Sequence, residues 1–116
     1  CGACTILFNN EPVRSCLMLA PQIDNGEITT IEGISENSSY NDLREAFKKY
    51  HALQCGYCTP GFITTIVYLL EKKQFLKEEE IREKLSGNIC RCTGYTGIVK
   101  AVEEVFLNRF KKSKND

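Results

Sequence analysis

The hydrophobic pattern of the chain changes period near residue 36. Before that point apolar side chains come in short runs, Thr5-Ile6-Leu7-Phe8, Val13 to Leu19 and Ile28 to Ile31, rich in β-branched and aromatic residues. These runs predict three short strands. Asn9-Asn10 between the first two predicts a hairpin turn, because asparagine tolerates positive φ. Cys16 falls on the returning strand, and Gly33 closes the third. Three short strands make a thin core, so a further strand-bearing segment is expected upstream of Cys1.

After the polar joint Ser35-Glu36-Asn37-Ser38 the period becomes helical. Ser39 with Asp42 reads as a capping pair ahead of Leu43, Ala46, Phe47 and Tyr50. Thr59-Pro60 reads as an N-cap followed by proline in the first turn. The helix it opens carries Phe62, Ile63, Ile66, Val67, Leu69 and Leu70 and is apolar over more than half its surface, so it should be the central, most buried one. Lys77 to Leu85 predicts a short charged helix with Ile81 and Leu85 facing inward and Gly87 as its stop. Thr96 is expected to cap a last helix whose stripe is Ile98, Val102, Val105, Phe106 and Phe110. All these stripes are read as core packing. The fold class expected is α+β, with one unit over residues 1–36, a four-helix unit over 37–110 and a tail over 111–116.

Composition narrows the function. The chain has 116 residues with 42% apolar and 26% charged content, ordinary for a globular protein. Basic and acidic residues balance at 15 each, so charge makes no case for nucleic acid or an acidic membrane. The basic run Arg109-Phe110-Lys111-Lys112-Ser113-Lys114 reads as a frayed terminus. No apolar run reaches the roughly 18 residues of a membrane span, no signal peptide is evident, and the expected location is the cytoplasm. No nucleophile–base pair and no phosphate-binding glycine loop stands out. Glu78-Glu79-Glu80 sits at a helix start, where the dipole explains it, and His51 reads as a surface or joint residue.

The chemistry lies in the seven cysteines, an odd number for a disulfide scaffold. Four of them form close pairs beside helical segments, which favours metal ligation in a reducing compartment. Cys1, Cys4 and Cys16 match the last three ligands of the plant-type 2Fe-2S spacing, whose first ligand would lie about five residues before Cys1. A lone CxxC with a buried core cysteine is the plainer reading of the same residues. Cys55, Cys58, Cys90 and Cys92 join a CxxC to a CxC about thirty residues on. This spacing favours iron–sulfur but leaves zinc open, since zinc takes four thiolates tetrahedrally. A Rieske centre needs two histidines, and the chain has only His51. Cys58-Thr59-Pro60-Gly61 and Cys92-Thr93-Gly94 each set cysteine, threonine and a breaker ahead of a helix. That echo points to two helix pairs related by approximate two-fold symmetry, each offering thiolates at a helix N-terminus, where free N–H groups and the dipole favour an anionic cluster.

The motifs Cys1-Gly2-Ala3-Cys4-Thr5, Ser15-Cys16-Leu17, Thr30-Ile31-Glu32-Gly33-Ile34, Gln54-Cys55-Gly56-Tyr57-Cys58-Thr59-Pro60-Gly61 and Asn88-Ile89-Cys90-Arg91-Cys92-Thr93-Gly94-Tyr95, in this order and spacing, resemble the iron–sulfur subunit of the xanthine dehydrogenase and carbon monoxide dehydrogenase family of molybdenum hydroxylases. The resemblance covers nearly the whole chain. It implies a partial plant-ferredoxin-like β-grasp domain followed by a four-helix domain, each with one 2Fe-2S cluster. Cys1, Cys4 and Cys16 would ligate the first cluster, and Cys55, Cys58, Cys90 and Cys92 the second. Gln54 and Cys92 match positions that contact the molybdopterin of a large partner subunit. Electrons would run from molybdopterin through both clusters to FAD on another chain, in a hetero-oligomer. The family's N-terminal strands, helix and first cysteine are absent from this sequence, which points to an N-terminally truncated member. Purine or nicotinate substrates are favoured, with aldehydes, carbon monoxide or aroyl-CoA thioesters as further family classes. The alternatives are a zinc-stabilised helical interaction module and a free ferredoxin-like carrier.

Overall fold

The computed structural model describes residues 1–111. The tail assigned to 111–116 lies outside the described residues apart from Lys111. The elements run β1 (Thr5–Phe8), β2 (Glu11–Arg14), β3 (Ile28–Thr29), α1 (Ile31–Glu36), α2 (Asn41–Lys49), α3 (Thr59–Glu71), α4 (Glu78–Lys84) and α5 (Thr96–Phe106), with a π-helical turn over Leu107–Lys111. The result is a mixed fold of helices around a small antiparallel sheet ordered β2-β1-β3.

The hairpin is as the asparagines require: Asn9 and Asn10 hold φ of 51° and 68°, and Phe8 faces Glu11 across the turn. The second strand is shorter than expected. It ends at Arg14 and the chain turns through a 3-10 helix at Ser15–Leu17, so Cys16 is not on a strand. Ser15 makes that turn, since its hydroxyl donates to the Cys4 carbonyl at 2.8 Å. The third strand is only Ile28–Thr29, and Ile31 opens a helix the β-branched run had hidden. The carboxyl of Glu32 is drawn below its usual range by the Thr30 hydroxyl, an interaction that favours the helical first turn.

α3 is the axis of the molecule. Nine of its residues, including Gly61 and every position from Phe62 to Val67, are buried, which accounts for its apolar composition on all sides. Thr64 and Thr65 satisfy their buried hydroxyls by donating to the carbonyls of Pro60 and Gly61. Leu43, Ala46 and Phe47 of α2, Ile81 of α4, and Ile98, Val102, Val105 and Phe106 of α5 enter one cluster with α3, and Leu7 of β1 and Ile34 of α1 join it.

Three expected caps differ. Asn37, not Ser39, caps the 3-10 turn before α2, by accepting from the Ser39 N–H. Thr59 and Thr96 sit inside their helices, behind Cys58 and Tyr95 at the N-cap positions, and neither cap uses a side chain. Arg109 departs from the frayed-terminus reading. Its guanidinium holds both carboxylate oxygens of Asp42 at 2.7 Å and lies over the Tyr40 ring. That hydrogen bond holds the Asp42 carboxyl below its usual value. The unfolded chain therefore takes up a proton at Asp42 first, so this stability is full above the ordinary carboxylate range and is lost as pH falls through the folded value. Asp42→Asn should cost about 1 kcal/mol at pH 7. Urea midpoints should show that gap closing toward pH 3.

Candidate metal centre

Two cysteine groups stand at the same end of α3. In the second group, the Cys92 thiol donates to Cys55 Sγ at 3.6 Å, across 37 residues of chain. Cys58, at the α3 N-cap, and Cys90 form the other pair, with the Cys58 thiol donating to Cys90. A metal–thiolate bond of about 2.3 Å at a tetrahedral angle puts two sulfurs about 3.8 Å apart, so the Cys55–Cys92 spacing is that of two ligands of one metal ion. No group of three or more His, Cys, Asp or Glu side chains among the described residues is gathered for a single ion. The sulfurs come as pairs.

The electrostatics follow the pairing. Burial pushes the Cys58 thiol up to about 12, helped by its bond to Cys90 and the neighbouring charge. Burial would raise Cys90 too. The Thr93 hydroxyl, at 3.2 Å from its sulfur, and the Cys58 thiol outweigh that and bring Cys90 down to about 7. The bond to Cys55 raises Cys92. In the first group, the Cys16 N–H and thiol both donate to Cys4 and lower it, and the same thiol bond raises Cys16. Cys1, Cys4 and Cys16 line one cavity of about 640 Å³. Each pair thus shares a proton that metal binding would displace.

The local backbone explains how the sulfurs converge. Gly56 and Gly94 hold φ of +84° and +68°, conformations that L side chains rarely adopt, and turn the chain beside each pair. A Cβ at either would meet no atom within 4 Å, so both backbones border open space. The Tyr57 N–H points at Cys55 Sγ at 3.4 Å. This donor set and the open glycine faces fit a thiolate-held cluster. The Thr59 hydroxyl is buried without a partner, and Thr59 lines a groove of about 430 Å³ together with Leu53, Gly56 and Pro60.

The structure places Gln54 exposed on the loop next to Cys55, and Cys92 exposed beside it. Three further residues carry parts that periodicity does not reveal. Tyr57, between Cys55 and Cys58 in sequence, lines the cavity of the first group. Asn88 is buried and bonded to the first cysteine loop. Tyr95 adopts φ of 73° and turns its hydroxyl back to accept the Cys90 N–H at 3.0 Å. Tyr95→Phe leaves that half-buried N–H without its acceptor and should cost about 1–2 kcal/mol in urea unfolding, with the far-UV spectrum unchanged.

Residues 30–103 match the family model described as a 2Fe-2S binding domain. The chain is 48% identical over 108 residues to the caffeine dehydrogenase subunit gamma of Pseudomonas sp. (strain CBB1), covering 90% of this chain and 65% of that protein. It is 50% identical over 102 residues to the nicotinate dehydrogenase small FeS subunit of Eubacterium barkeri, covering 88% and 65%. Quinoline 2-oxidoreductase from Pseudomonas putida 86 contains a chain of similar structure, with a TM-score of 0.84 and 44% identity over 92% of this chain and 66% of that one. This chain therefore spans just under two thirds of these relatives.

Proposed function

Because the chain belongs to the iron–sulfur small subunits of the molybdenum hydroxylases, we propose that it is an electron-transfer subunit carrying two 2Fe-2S clusters between a molybdopterin site and FAD on partner chains. The observation that carries this reading is the 3.6 Å approach of Cys92 to Cys55, two sulfurs that share no local sequence. Each cluster, when bound, takes up and releases one electron.

The chain's own residues supply the setting. Cys55 with Cys92 and Cys58 with Cys90 would hold the second cluster as two pairs. Cys1, Cys4 and Cys16 would hold the first, with a fourth cysteine upstream. Cys58 at the α3 N-cap sets its sulfur at the positive end of the helix dipole. The Tyr57 N–H and the Thr93 hydroxyl already donate to ligand sulfurs, and such bonds tune a cluster's potential. Gln54, next to Cys55 in sequence, and Cys92, 3.6 Å from the Cys55 sulfur, are both exposed and would meet the molybdopterin of the large subunit. In this reading residues 1–36 are the end of a ferredoxin-like β-grasp domain and 37–110 a four-helix cluster domain.

Docking to partners is supported by the exposed apolar side chains. Leu17, Leu53, Tyr57 and Ile89 are all exposed, and each lies within two residues of a cysteine. Apolar collars of that kind mark contact surfaces, and an electron carrier must be covered where electrons enter and leave. Among the described residues no helix is long and apolar enough to cross a membrane, and a cytoplasmic hetero-oligomer is the assembly proposed. The substrate of that assembly is an N-heteroaromatic ring of the purine or nicotinate type, in line with the relatives named for caffeine and nicotinate.

Purified anaerobically, the protein should absorb in the visible, carry iron and acid-labile sulfide at about four each per chain, and co-purify with larger molybdopterin and flavin subunits. A colourless protein with stoichiometric zinc would overturn this and establish a zinc-stabilised module instead.

A further inference from the structure

The loop that carries Cys1 and Cys4 is held in place from the far end of the sequence. The Cys1 carbonyl accepts the Ile89 N–H at 2.8 Å. The Gly2 carbonyl accepts the Thr5 N–H and hydroxyl, and also the Asn88 side-chain amide at 3.2 Å, from 86 residues away. Asn88 is 4% exposed, and its other end is also engaged, because Oδ1, at 3.1 Å, shares the Thr65 hydroxyl proton of α3 with the Gly61 carbonyl. The loop also touches α3 itself. A Cβ on Gly61 would stand 2.1 Å from the Gly2 oxygen, so only glycine lets the helix backbone and the loop meet there. Asn88 thus bridges the first cysteine loop and the central helix, while it lies two residues from Cys90 of the second group.

We propose that Asn88, although it belongs to the second cysteine segment, is the positioning residue of the first cluster's loop. The proposal rests on the iron–sulfur reading above. Backbone bonds around the second group do not use the Asn88 side chain: the Cys90 N–H goes to Tyr95, and Thr93 serves the Cys90 sulfur. The side chain instead spends its donor on Gly2. Its removal leaves the Gly2 carbonyl to its two Thr5 donors and cuts the side-chain tie between the loop and α3, so the loop is held from the far end of the sequence by the Cys1–Ile89 bond alone, with Cys90 still anchored. A residue that served only general stability would weaken both centres, and the neighbouring second centre at least as much.

The test uses the full-length protein in its complex, reduced with dithionite, with Cys4→Ser and Cys90→Ser variants assigning the two low-temperature EPR signals. In Asn88→Ala the first-centre signal should broaden or shift and its iron should pass to a chelator roughly tenfold faster, with the second-centre signal retained. Thr65→Val, nearly isosteric, removes the hydroxyl that orients the amide and should act in the same direction more weakly, which decides the matter if Asn88→Ala does not fold. An unchanged first centre, or preferential loss of the second, would overturn the role of Asn88. Wild-type protein with neither signal would overturn the iron–sulfur reading itself, and this proposal with it.

Discussion

Replacing Cys90 with serine is expected to strip the second centre of its iron while the first centre stays. Cys90 is buried, and of the second group it is the thiol brought down to about 7, by Thr93 and Cys58 acting against burial. It is therefore the ligand most ready to meet a metal as thiolate near neutral pH. Serine keeps the shape but offers a hydroxyl that holds its proton far more tightly, and the other three cysteines of the group are already committed to the same centre. Iron and labile sulfide should fall from about four to about two per chain, with one of two low-temperature EPR signals lost. Internal electron transfer should stop as well, since the proposed route from molybdopterin runs through this centre first. The Cys1–Ile89 and Gly2–Asn88 bonds do not involve the Cys90 sulfur, so the first signal should persist. Both signals surviving in the variant would contradict the ligand assignment.

The parts of the fold that could be read from the sequence are those where one physical cause dominates. α3 was legible because an apolar composition on all sides leaves a helix nowhere to go but the centre. The inward faces of α4 and α5 follow from periodicity, and the Asn9-Asn10 turn from the tolerance of asparagine for positive φ. Where causes compete, the reading failed. Ile28 to Ile31 has strand propensity, yet Thr30 and Glu32 favour a helical first turn, and the helix took Ile31. Val13 to Leu19 has the composition of a strand, but continuing the pairing of Thr5 with Arg14 would set Cys16 opposite Ala3 on an extended ladder. The Ser15 turn breaks that ladder and brings the Cys16 thiol to Cys4. At the site, the cysteines were legible as short-range spacings. Asn88 and the Tyr95 hydroxyl were not, because their value comes from partners the spacing does not name: Gly2, 86 residues away, and a backbone N–H reached only through a left-handed turn.

Phe62→Ala should be the most damaging single change in the apolar core near the site, costing about 3–5 kcal/mol. Phe62 is 1% exposed and stands on the first turn of α3, where its N–H closes on the Cys58 carbonyl. Its ring packs against Tyr95 at 6.4 Å between centroids, tilted by 59°. Alanine would lose the buried area and leave a cavity between α3 and the segment that leads into α5. Against a total of about 5–15 kcal/mol for a domain this is a large share, and it should appear as a lower urea midpoint with little change in slope. Phe62→Leu, closer in volume, should cost about 1.5 kcal/mol or less. The loss is also directional. Phe62 supports Tyr95, Tyr95 holds the Cys90 N–H, and Cys58 begins the same helical turn, so the Cys58–Cys90 pair of the second group rests on this ring. Iron should therefore leave the second centre faster than the first in Phe62→Ala, the opposite order to Asn88→Ala. Equal release from both centres, or a stability cost under about 1 kcal/mol, would show that the ring fills space without supporting the site.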